Sequence, residues 1–463
     1  MTFASWLDSL QHRSVAIVGI GVSNTPLIRL LARHGVKVTA CDKATREQFQ
    51  NDALLRELEA LGVTLRLGQD YLDGLDQDFI FRSPGIRPDI PAFLAAKSRG
   101  SVITSEMEVF FEVCPCPIIA VTGSDGKTTT TTIIAKLLEA QGYTVHVGGN
   151  IGHPLLAETG EMRPTDKVVL ELSSFQLMTM RRSPAVAVIT NLAPNHLDIH
   201  KGMEEYVAAK ENIYLWQDEQ GKVVLNHDNE YTRSFAEKAK GQVTWFARQT
   251  AIDSGVTLED GVIVVKGDRQ VLPVSDILLP GVHNWENYMA AIAAVDGLVS
   301  DETIRAFAKT FGGVEHRIEL VRELNGVKYY NDSIASSPTR TAAGLRSFKQ
   351  KVILLAGGHD KKIPYDSFGP IVCDHVKRLV LIDANPDDST APAIKASVQA
   401  ADNYKADELP IDTYDDFEKA VRGAAAVAQE GDIVLMSPAS ASFDIFKNFM
   451  ERGNRFKDIV NSL

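Results

Sequence analysis

Short apolar runs alternate along the chain with stretches whose apolar residues recur at helical spacing. Residues 118–121 form a β-branched run, for example, and residues 131–141 follow with the period of a helix. Uninterrupted apolar runs of this length are typical of parallel strands buried on both faces. Strands that alternate with helices in this way predict an α/β protein with doubly wound sheets.

The length of the chain predicts more than one domain. At 463 residues it exceeds a single hydrophobic core, and roughly two to four domains are expected. The pattern divides into three regions, at 1–106, 107–310 and 311–463.

A glycine-rich turn joins the strand at 118–121 to the helix that follows. It contains Gly123, Ser124, Asp125, Gly126, Lys127, Thr128 and Thr129. Glycines let backbone N–H groups approach phosphate oxygens, and a helix N-terminus favours an anion. Lys127 would then meet the β- and γ-phosphates, and the Thr128 or Thr129 hydroxyl would hold Mg²⁺. Val121 replaces the first glycine of the full pattern, so a plain turn with an exposed lysine is the alternative. The flanking strand and helix favour nucleotide phosphate binding.

Three further side chains of the central region are candidates. Glu171 interrupts a buried apolar strand, where a carboxylate is costly unless it meets a cation. It is predicted to complete Mg²⁺ coordination, with a structural ion pair as the alternative. His196, in the loop after the strand at 185–190, fits a metal ligand, a substrate contact or an ordinary loop histidine. Lys210 lies in a predicted helix at 203–216, and its spacing alone assigns it no role.

The first region begins with a strand, a Gly19-x-Gly21 turn and a helix. Asn24 replaces the third glycine of the dinucleotide pattern, and Asp42 ends the second strand, where it could meet a ribose hydroxyl. We expect a nucleotide or its sugar diphosphate here rather than NAD in particular; a tight turn is the alternative. The strand at 78–82 ends on Ser83-Pro84-Gly85, which is either a ligand loop at the sheet edge or a plain turn.

Four apolar runs in the third region each end in small or polar residues. These ends are at 331–333, 357–361, 383 and 437–442. Because carboxyl ends of parallel strands meet at one edge, they predict a ligand site. His316-Arg317 precedes the region, and Arg317 could reach a phosphate on the central domain. Asn284 and Asn287, at the start of a predicted helix, are either caps or base and ribose contacts.

The amino-acid composition and net charge bear on which classes of protein this chain can belong to. The apolar content of 44% and charged content of 23% are those of an ordinary soluble protein. A net charge of −12 argues against a nucleic-acid-binding surface. The four cysteines are too few and too irregular for a disulfide framework, and reduced thiols are expected. With no signal peptide and no apolar run long enough for a bilayer, we expect a cytoplasmic protein that does not contact a membrane.

Ordered motifs along nearly the whole chain resemble those of the Mur ligases of peptidoglycan synthesis. The last motifs and the Rossmann-like start favour the D-glutamate-adding branch. The motifs are Gly19-Ile-Gly21, Ser83-Pro-Gly-Ile86, Thr122-Gly-Ser-Asp-Gly-Lys-Thr128, Gly148-Gly-Asn-Ile-Gly152, Glu171-Leu-Ser-Ser-Phe-Gln176, His196-Leu-Asp198, Gly281-Val-His-Asn-Trp-Glu-Asn287, His316-Arg317, Asn331-Asp-Ser333, Gly357-Gly-His-Asp-Lys361, Ser437-Pro-Ala-Ser-Ala-Ser-Phe-Asp444, Phe446-Lys-Asn-Phe449 and Arg452-Gly-Asn454.

The resemblance implies three domains and an ATP-dependent amide ligase. The domains would be a Rossmann-like UDP-sugar domain at 1–106, a P-loop-type ATPase domain at 107–310 and a Rossmann-like amino-acid domain at 311–463. ATP would phosphorylate the carboxylate of UDP-N-acetylmuramoyl-L-alanine, and D-glutamate would attack the acyl phosphate through a tetrahedral intermediate. ATP, Mg²⁺ (two ions) and a carbamylated Lys210 are the implied cofactors, and a monomer is expected.

The resemblance also implies roles for individual residues. Catalysis falls to Lys127, His196, Lys210 and Arg317, and metal binding to Thr128, Glu171, His196 and Lys210. The implied ATP contacts are Gly123, Ser124, Asp125, Gly126, Lys127, Thr128, Thr129, Asn284, Asn287, Arg317 and Asp332. The implied sugar-nucleotide contacts are Val22, Ser23, Asp42, Lys43, Ser83, Gly85, Asn150, Ser173 and Gln176. The implied D-glutamate contacts are Lys361, Ser442, Phe443 and Phe449.

One block departs from the family pattern. Ile334 and then Ala335-Ser336-Ser337 follow the Asn-Asp-Ser motif, where the family often has Lys and Ala-Thr-Asn. Lys361, Lys362 or Arg340 would have to replace that lysine. Three alternatives remain. The first is a sister ligase that adds L-alanine, a diamino acid or a dipeptide, or a polyglutamate-type ligase. The second is an NAD-dependent oxidoreductase, suggested by Gly19-x-Gly21, and the third is a nucleotide-gated binding protein without chemistry.

Overall fold

The computed structural model describes residues 1–49, 51–194, 199–265, 269–361 and 363–463. The chain forms two compact units, Met1–Val274 with Trp285–Phe307 and Ser275–Asn284 with Ala308–Leu463. The first unit contains two sheets and the second unit one. The predicted α/β class with three sheets is confirmed.

The first sheet has five parallel strands in the order β3-β2-β1-β4-β5. This is the Rossmann strand order, 3-2-1-4-5-6, without the sixth strand. Its strands are β1 (Ser14–Val18), β2 (Lys37–Asp42), β3 (Thr64–Leu67), β4 (Phe79–Arg82) and β5 (Val102–Thr104). Its helices are α1 (Phe3–Ser9), α2 (Thr25–Arg33), α3 (Asp52–Ala60), α4 (Pro91–Ser98) and α5 (Glu106–Val113).

The second sheet has nine strands in the order β14-β13-β12-β11-β10-β9-β6-β8-β7. Its strands are β6 (Ile118–Thr122), β7 (Val145–Gly149), β8 (Lys167–Glu171), β9 (Val186–Ile189), β10 (Lys222–Asn226), β11 (Gln242–Ala247), β12 (Val256–Glu259), β13 (Val262–Val265) and β14 (Arg269–Pro273). The helices of this part of the chain are α6 (Lys127–Ala140), α7 (Ser174–Leu177), α8 (Met203–Glu211), α9 (Glu230–Ser234), α10 (Val282–Val295) and α11 (Asp301–Ala308).

In the described part of this sheet β10 pairs in parallel with both β9 and β11, whereas β12–β13 and β13–β14 pair antiparallel. One expectation for the central region needs correction. The helix expected at 203–216 ends at Glu211. Just beyond it the Asn212 amide donates to the Leu177 carbonyl at 3.0 Å, a contact that a sequence period does not reveal.

The third sheet has six strands in the order β15-β16-β20-β17-β18-β19, parallel except for the β15–β16 pair. Its strands are β15 (Glu319–Leu324), β16 (Val327–Asn331), β17 (Val352–Ala356), β18 (Val376–Ile382), β19 (Ile411–Tyr414) and β20 (Ile433–Met436). Its helices are α12 (Pro338–Leu345), α13 (Phe368–His375), α14 (Ala391–Gln399), α15 (Phe417–Val427) and α16 (Phe449–Asn461). Short 3₁₀ helices lie at Arg46–Gln48, Leu156–Glu161, Phe235–Glu237, Val274–Asp276 and Pro386–Asp388.

Burial on both faces explains why the strand sequences do not alternate. In β17, Leu354 packs in one apolar cluster, whereas Ile353 and Leu355 pack in the cluster on the other face, and none is more than 1% exposed. Both sets of side chains are removed from water, so both must be apolar. The carboxyl ends of these strands are thereby fixed as a rigid edge from which loops project.

The sequence also predicted reduced cysteines and no membrane-spanning segment. All four cysteines are free thiols. None of the helices within the described ranges is long and apolar enough to cross a membrane.

Candidate functional site

The turn after β6 is closely packed around its two glycines. Gly126 has φ 77° and Gly123 has φ 149°, values that side chains disfavour. A Cβ at Gly126 would lie 2.3 Å from Asn287 Oδ1, and one at Gly123 would lie 2.0 Å from Thr190 Oγ1. Both positions therefore require glycine because of the protein's own side chains, whatever binds above them.

The loop after β9 holds the glycine turn from one side. The Ser124 N–H donates to the Asn191 carbonyl at 2.8 Å, and the Asp125 N–H donates to Asn191 Oδ1 at 3.0 Å. The Ser124 hydroxyl lies 2.9 Å from both the Ala193 carbonyl and the Tyr206 hydroxyl. The turn keeps its shape through these contacts.

Helix α6 begins at Lys127 and directs its N-terminus at the turn. Its N-cap is Gly126, which provides no side-chain cap, so a bound anion could meet the N–H groups of the first turn. The Lys127 ammonium donates to the Ser124 carbonyl at 2.8 Å. The half-buried Thr128 and Thr129 follow in this first turn.

Glu171 ends β8 directly beside this helix. It is 2% exposed, and its two oxygens accept hydrogen bonds from Thr128 Oγ1 and Asn150 Nδ2, both at 2.7 Å. Both donors are neutral, so a buried carboxylate faces the phosphate turn without a directly bonded cation among the described residues. Carboxylate and hydroxyl oxygens side by side are ligands that Mg²⁺ prefers, so the residues fit a divalent cation.

Lys210 on α8 points its amine at the strand end below the turn. It is 2% exposed, and its Nζ donates to Thr122 Oγ1 and to the Gly123 carbonyl, both at 2.9 Å. Burial, and then the nearby Lys127 charge, hold the pKa of the Lys210 amine well below its ordinary value. A neutral amine is the form that reacts with CO₂, so this environment is compatible with a carbamate. We call Thr122–Thr130, Glu171 and Lys210 the phosphate-loop corner.

The two asparagines near the start of α10 have different contacts. In the first unit, Asn287 Oδ1 accepts from Thr130 Oγ1 at 3.2 Å, so Asn287 lies against the phosphate-loop corner. In the second unit, Asn284 Nδ2 donates to the Pro280 carbonyl at 2.7 Å. Asn287 therefore supports the glycine turn, a role that the sequence did not predict.

At the first sheet, Asn24 joins two loops that were considered separately. Its amide donates to the Gly19 carbonyl at 3.0 Å and lies 3.1 Å from Ser83 Oγ. Gly19 has φ 99°, and a Cβ there would lie 2.2 Å from Ser83 Oγ. The residue that breaks the dinucleotide pattern thus holds the Ser83 loop against the glycine turn.

The other residues predicted to meet the uridine end line the same sheet edge. Asp42 accepts the Ile20 N–H at 2.7 Å and the Ala44 N–H at 2.9 Å, so both its oxygens already shape the loops. Val22, Lys43 and Gly85 are exposed, and Ser23 is half-buried.

Asn150, Ser173 and Gln176 lie at the carboxyl ends of β7 and β8. The Asn150 N–H donates to the Glu171 carbonyl at 2.7 Å. Ser173 and Gln176 form a reciprocal capping box at the start of α7. These three predicted substrate contacts are therefore adjacent to the phosphate-loop corner. His196, Asn195 and Asp198 lie outside the described residues, as does Lys362.

In the second unit, Asp332 is buried behind the carboxyl end of β16. The Ser437 hydroxyl donates to its Oδ2 at 2.7 Å, and the Ile318 N–H donates to its Oδ1 at 3.3 Å. Burial outweighs these hydrogen bonds and raises the pKa of Asp332 to about 7.

Arg317 is exposed between two residues in the left-handed region. His316 has φ 62° and Ile318 has φ 45°, and for a β-branched residue this conformation is strained. The His316 ring is buried, and its Nδ1 accepts from Asn331 Nδ2 at 2.9 Å. A strained, anchored turn that exposes an arginine is typical of a functional position.

Three adjacent strands, β16, β20 and β17, bring the predicted amino-acid contacts to one edge. Ser442 is buried, Phe443 is 62% exposed, and Lys361 is exposed. His359, two residues before Lys361, has its ring 5.8 Å from that of Phe443 and its Nδ1 2.6 Å from Asp388 Oδ2. We call residues 331–333, 357–361 and 437–443 the loop cluster.

Contacts around the loop cluster also show where Phe449 and Arg340 lie. The Phe449 carbonyl accepts the Ser333 hydroxyl at 2.7 Å, which places the start of α16 beside the cluster. Arg340 donates to the Ile334 carbonyl at 3.3 Å. Ile334 is the position where the family often has lysine, so Arg340 is the proposed substitute that contacts this position directly.

Sequence reasoning missed the residues that hold these loops. Asn24 had a signal, since it occupies an expected glycine position. Tyr206 had a weaker one, since it precedes Lys210 by one helical turn and so shares its face. Asn191 and Thr190 had none, because their contacts depend on which strands are neighbours.

Comparison with known proteins agrees with this geometry. The Mur ligase middle domain matches residues 121–295, and the domain described as "Mur ligase, glutamate ligase domain" matches residues 316–440. The UDP-N-acetylmuramoylalanine–D-glutamate ligase of Acetivibrio thermocellus is 55% identical over 98% of this chain and 97% of its own length. The chain belongs to the Mur ligase family.

Other Mur ligases support the same assignment. The proteins of the same name from Ruminiclostridium cellulolyticum and Clostridium novyi are 52% and 49% identical, over 98% and 100% of this chain and 97% and 99% of their own lengths. In fold, the UDP-N-acetylmuramate-alanine ligase of Thermotoga maritima matches with a TM-score of 0.56 at 19% identity, over 97% of this chain and all of that one. The Mur ligase architecture thus extends over the whole chain.

Proposed function

We propose that this Mur ligase joins D-glutamate to UDP-N-acetylmuramoyl-L-alanine with consumption of ATP, in the synthesis of peptidoglycan precursors. The observation that carries the proposal is full-length similarity, at 48–55% identity, to proteins with that ligase name. The phosphate-loop corner supports it, because a buried carboxylate, a lysine and a helix N-terminus are the parts that phosphoryl transfer needs.

The chemistry requires activation before amide formation. A carboxylate oxygen is a poor leaving group, so the γ-phosphoryl group of ATP is transferred to the alanyl carboxylate, which becomes an acyl phosphate. The amine of D-glutamate attacks its carbonyl carbon, and the tetrahedral intermediate collapses with loss of phosphate. Lys127 and Arg317 are proposed to stabilise the charge that moves between the two anions.

The proposed ATP site consists of the phosphate-loop corner and further contacts along the chain. Its residues are Gly123, Ser124, Asp125, Gly126, Lys127, Thr128, Thr129, Asn284, Asn287, Arg317 and Asp332. Thr128, Glu171, His196 and Lys210 are the proposed metal residues, with Lys210 carbamylated. Mg²⁺ would supply positive charge to the transferring phosphoryl group.

The substrates are assigned to the other loops. UDP-N-acetylmuramoyl-L-alanine is assigned to Val22, Ser23, Asp42, Lys43, Ser83, Gly85, Asn150, Ser173 and Gln176. D-Glutamate is assigned to Lys361, Ser442, Phe443 and Phe449. We further propose domain ranges of 1–106, 107–310 and 311–463, a monomer, and a cytoplasmic location, where these nucleotide substrates are found.

Amino-acid-dependent phosphate release tests the proposal. The purified protein receives MgATP and UDP-N-acetylmuramoyl-L-alanine, and phosphate is measured with D-glutamate, L-glutamate, L-alanine, diaminopimelate or D-alanyl-D-alanine. We expect stimulation by D-glutamate alone. Stimulation by another amino acid without any by D-glutamate would instead support a sister ligase. The oxidoreductase alternative was suggested by Gly19-x-Gly21, and the packing of Ser83 and Asn24 beside Gly19 explains that glycine without a bound dinucleotide.

A further inference from the structure

Arg87 connects the loop of the first sheet to the helix that carries Lys210. It directly follows the Ser83–Ile86 loop, and its guanidinium reaches residues that precede and begin α8. Nη1 donates to the Ile199 carbonyl at 2.8 Å, and Nη1 and Nη2 donate to the two oxygens of Glu205 at 2.9 and 2.8 Å. The loop assigned to the sugar nucleotide and the start of α8 therefore share one cation.

The guanidinium has no donor left over. Nε and Nη2 donate to the two oxygens of Asp89 at 2.8 and 2.9 Å, so five hydrogen bonds use all five N–H groups. Two bidentate carboxylate pairs fix a planar guanidinium in orientation as well as in position. Arg87 holds the pKa of Glu205 down at about 2 and that of Asp89 below its usual range, so both carboxylates stay ionised at neutral pH.

From Glu205 the contacts continue to the segment assigned to the substrate. Its Oε2 lies 3.4 Å from Nδ1 of His200, whose side chain is fully buried. His200 Nε2 lies 2.9 Å from Ser174 Oγ, and the ring stacks on Phe175 at 5.2 Å. Ser174 and Phe175 lie inside the capping box of Ser173 and Gln176.

Tyr206 and Lys210, on the neighbouring face of α8, reach the phosphate turn. The Tyr206 ring packs edge-on against His200 at 5.4 Å, and its hydroxyl lies 2.9 Å from Ser124 Oγ. Lys210 lies one turn further along α8 and contacts Gly123. A displacement of α8 therefore changes the contacts of Ser124 and Gly123 together, and it reaches Ser174 through His200.

We propose that Arg87 is a positioning residue that makes the binding of sugar nucleotide and of ATP mutually dependent. A sugar nucleotide that orders the Ser83–Ile86 loop fixes Arg87, which fixes α8 and with it the phosphate turn. Because coupling between two ligands is reciprocal, ATP strengthens sugar-nucleotide binding by the same factor. The inference rests on the proposed function, since it takes the Ser83 loop and the phosphate turn as the two binding sites.

Calorimetric titration measures this coupling without turnover. The dissociation constant of a non-hydrolysable ATP analogue with Mg²⁺ is measured with and without saturating UDP-N-acetylmuramoyl-L-alanine. In the unmodified protein we expect the sugar nucleotide to tighten the analogue by about 5-fold or more. In Arg87→Gln we expect a factor near one, while the analogue alone binds within about 2-fold of the unmodified protein.

Matched variants separate coupling from a loss of stability. Arg29→Gln removes another bidentate arginine pair, with Glu57 at 2.7 Å, that stays within the first sheet's own helices, and it should leave the factor unchanged. Glu205→Gln should lower the factor as Arg87→Gln does, and the double variant should lower it no further. Arg87→Lys keeps the positive charge but cannot form the two bidentate carboxylate pairs, so we expect a coupling factor between those of the unmodified protein and Arg87→Gln.

The outcomes distinguish this inference from the proposed function. If the unmodified protein binds both ligands with a factor near one, or if Arg87→Gln and Glu205→Gln retain the full factor, the inference is wrong and the ligase assignment stands. If the unmodified protein binds no sugar nucleotide, the proposed function fails and the inference falls with it. Should Arg87→Gln fail to fold, Arg87→Lys and Glu205→Gln decide the question.

Discussion

The phosphate-loop corner and the loop cluster both lie at the carboxyl ends of parallel strands, but they hold their polar side chains differently. In the corner, Glu171 and Lys210 are each 2% exposed and hydrogen-bonded to neighbours in the same unit. In the loop cluster, Asp332 is buried in the same way, but Phe443 is 62% exposed and Lys361 is also exposed.

This difference indicates when the side chains of each site become ordered: before a ligand binds in the corner, and on binding in the loop cluster. Side chains already fixed by hydrogen bonds lose little freedom when charge develops beside them, which is the arrangement that stabilises a transition state. Exposed lysine and aromatic side chains are ordered only when a ligand contacts them, and that cost lowers affinity. We therefore expect variants of the corner to affect turnover, and variants of the exposed cluster residues to affect the KM of one substrate.

Removing the Lys127 charge should have the largest effect. We expect Lys127→Ala to lower kcat/KM by about 10³-fold, or about 4 kcal/mol, because a preorganised cation at the transferring phosphoryl group is lost. Steady-state phosphate release measures it. Lys136→Ala is the matched control, since Lys136 lies on the same helix and pairs with Glu139 at its exposed surface. Similar activity in the two variants would remove Lys127 from the mechanism. Phosphate release no faster than background in the unmodified protein would instead support a binding protein without chemistry.

Lys210 tests whether the buried amine acts through a carbamate. Lys210→Ala should lose about 10²-fold in kcat, and bicarbonate with a short carboxylic acid should restore part of it, because a free carboxylate can occupy the vacated space. Lys136→Ala, whose lysine pairs with Glu139 at an exposed surface, again serves as the control. Unchanged activity of Lys210→Ala would contradict a catalytic role for Lys210. Loss of activity without rescue would indicate that Lys210 acts through its hydrogen bonds to Thr122 and Gly123 rather than through a carbamate.

A smaller and more selective effect is expected in the loop cluster. Lys361→Ala should raise the KM for D-glutamate by about 10-fold, the cost of one charged hydrogen bond, with little change in the KM for ATP. Initial rates over a matrix of both substrates measure the two constants. Lys405→Ala, an exposed lysine of the same unit paired with Glu408, should change neither. An equal loss for both substrates would contradict the division between the two regions.

Asp332 predicts the smallest effect, and it concerns stability. Its pKa of about 7 in the folded protein lies above its ordinary value of 3.8. The folded state therefore binds more protons between these values, so the stability contributed by protonated Asp332 is present below pH 4 and is lost as pH rises through 7. Asp332→Asn cannot ionise, and its stability relative to the unmodified protein should improve by about 1–2 kcal/mol from pH 6 to pH 8. Thermal unfolding at both pH values measures this, and a difference independent of pH would contradict it.

Much of the fold was predictable because burial determines the strand sequences. The runs that became β1, β6, β17 and β20 are covered on both sides, so they are continuously apolar and easily recognised. The two edge strands of the third sheet were missed: β15 (ELVREL) and β19 (IDTY) are half-buried, and their mixed sequences resemble loops. Sequence period does not identify strands of that kind.

The candidate site was predictable to the extent that its chemistry is local. Gly126, Lys127 and Thr128 are consecutive, so strand, turn and helix were enough to predict them. Glu171 was predicted because a carboxylate on a buried strand needs an explanation. The contacts of Arg87 with Glu205 and of Asn24 with Ser83 join residues 118 and 59 positions apart. They depend on the arrangement of the loops, which no spacing encodes.

The transfer of oxygen from substrate to phosphate tests the central claim most directly. UDP-N-acetylmuramoyl-L-alanine labelled with ¹⁸O in its alanyl carboxylate is converted with MgATP and D-glutamate, and the released phosphate is analysed by mass spectrometry. If ATP activates that carboxylate, each phosphate carries one ¹⁸O atom. Amide formation that releases unlabelled phosphate, or that proceeds without ATP, would contradict the account.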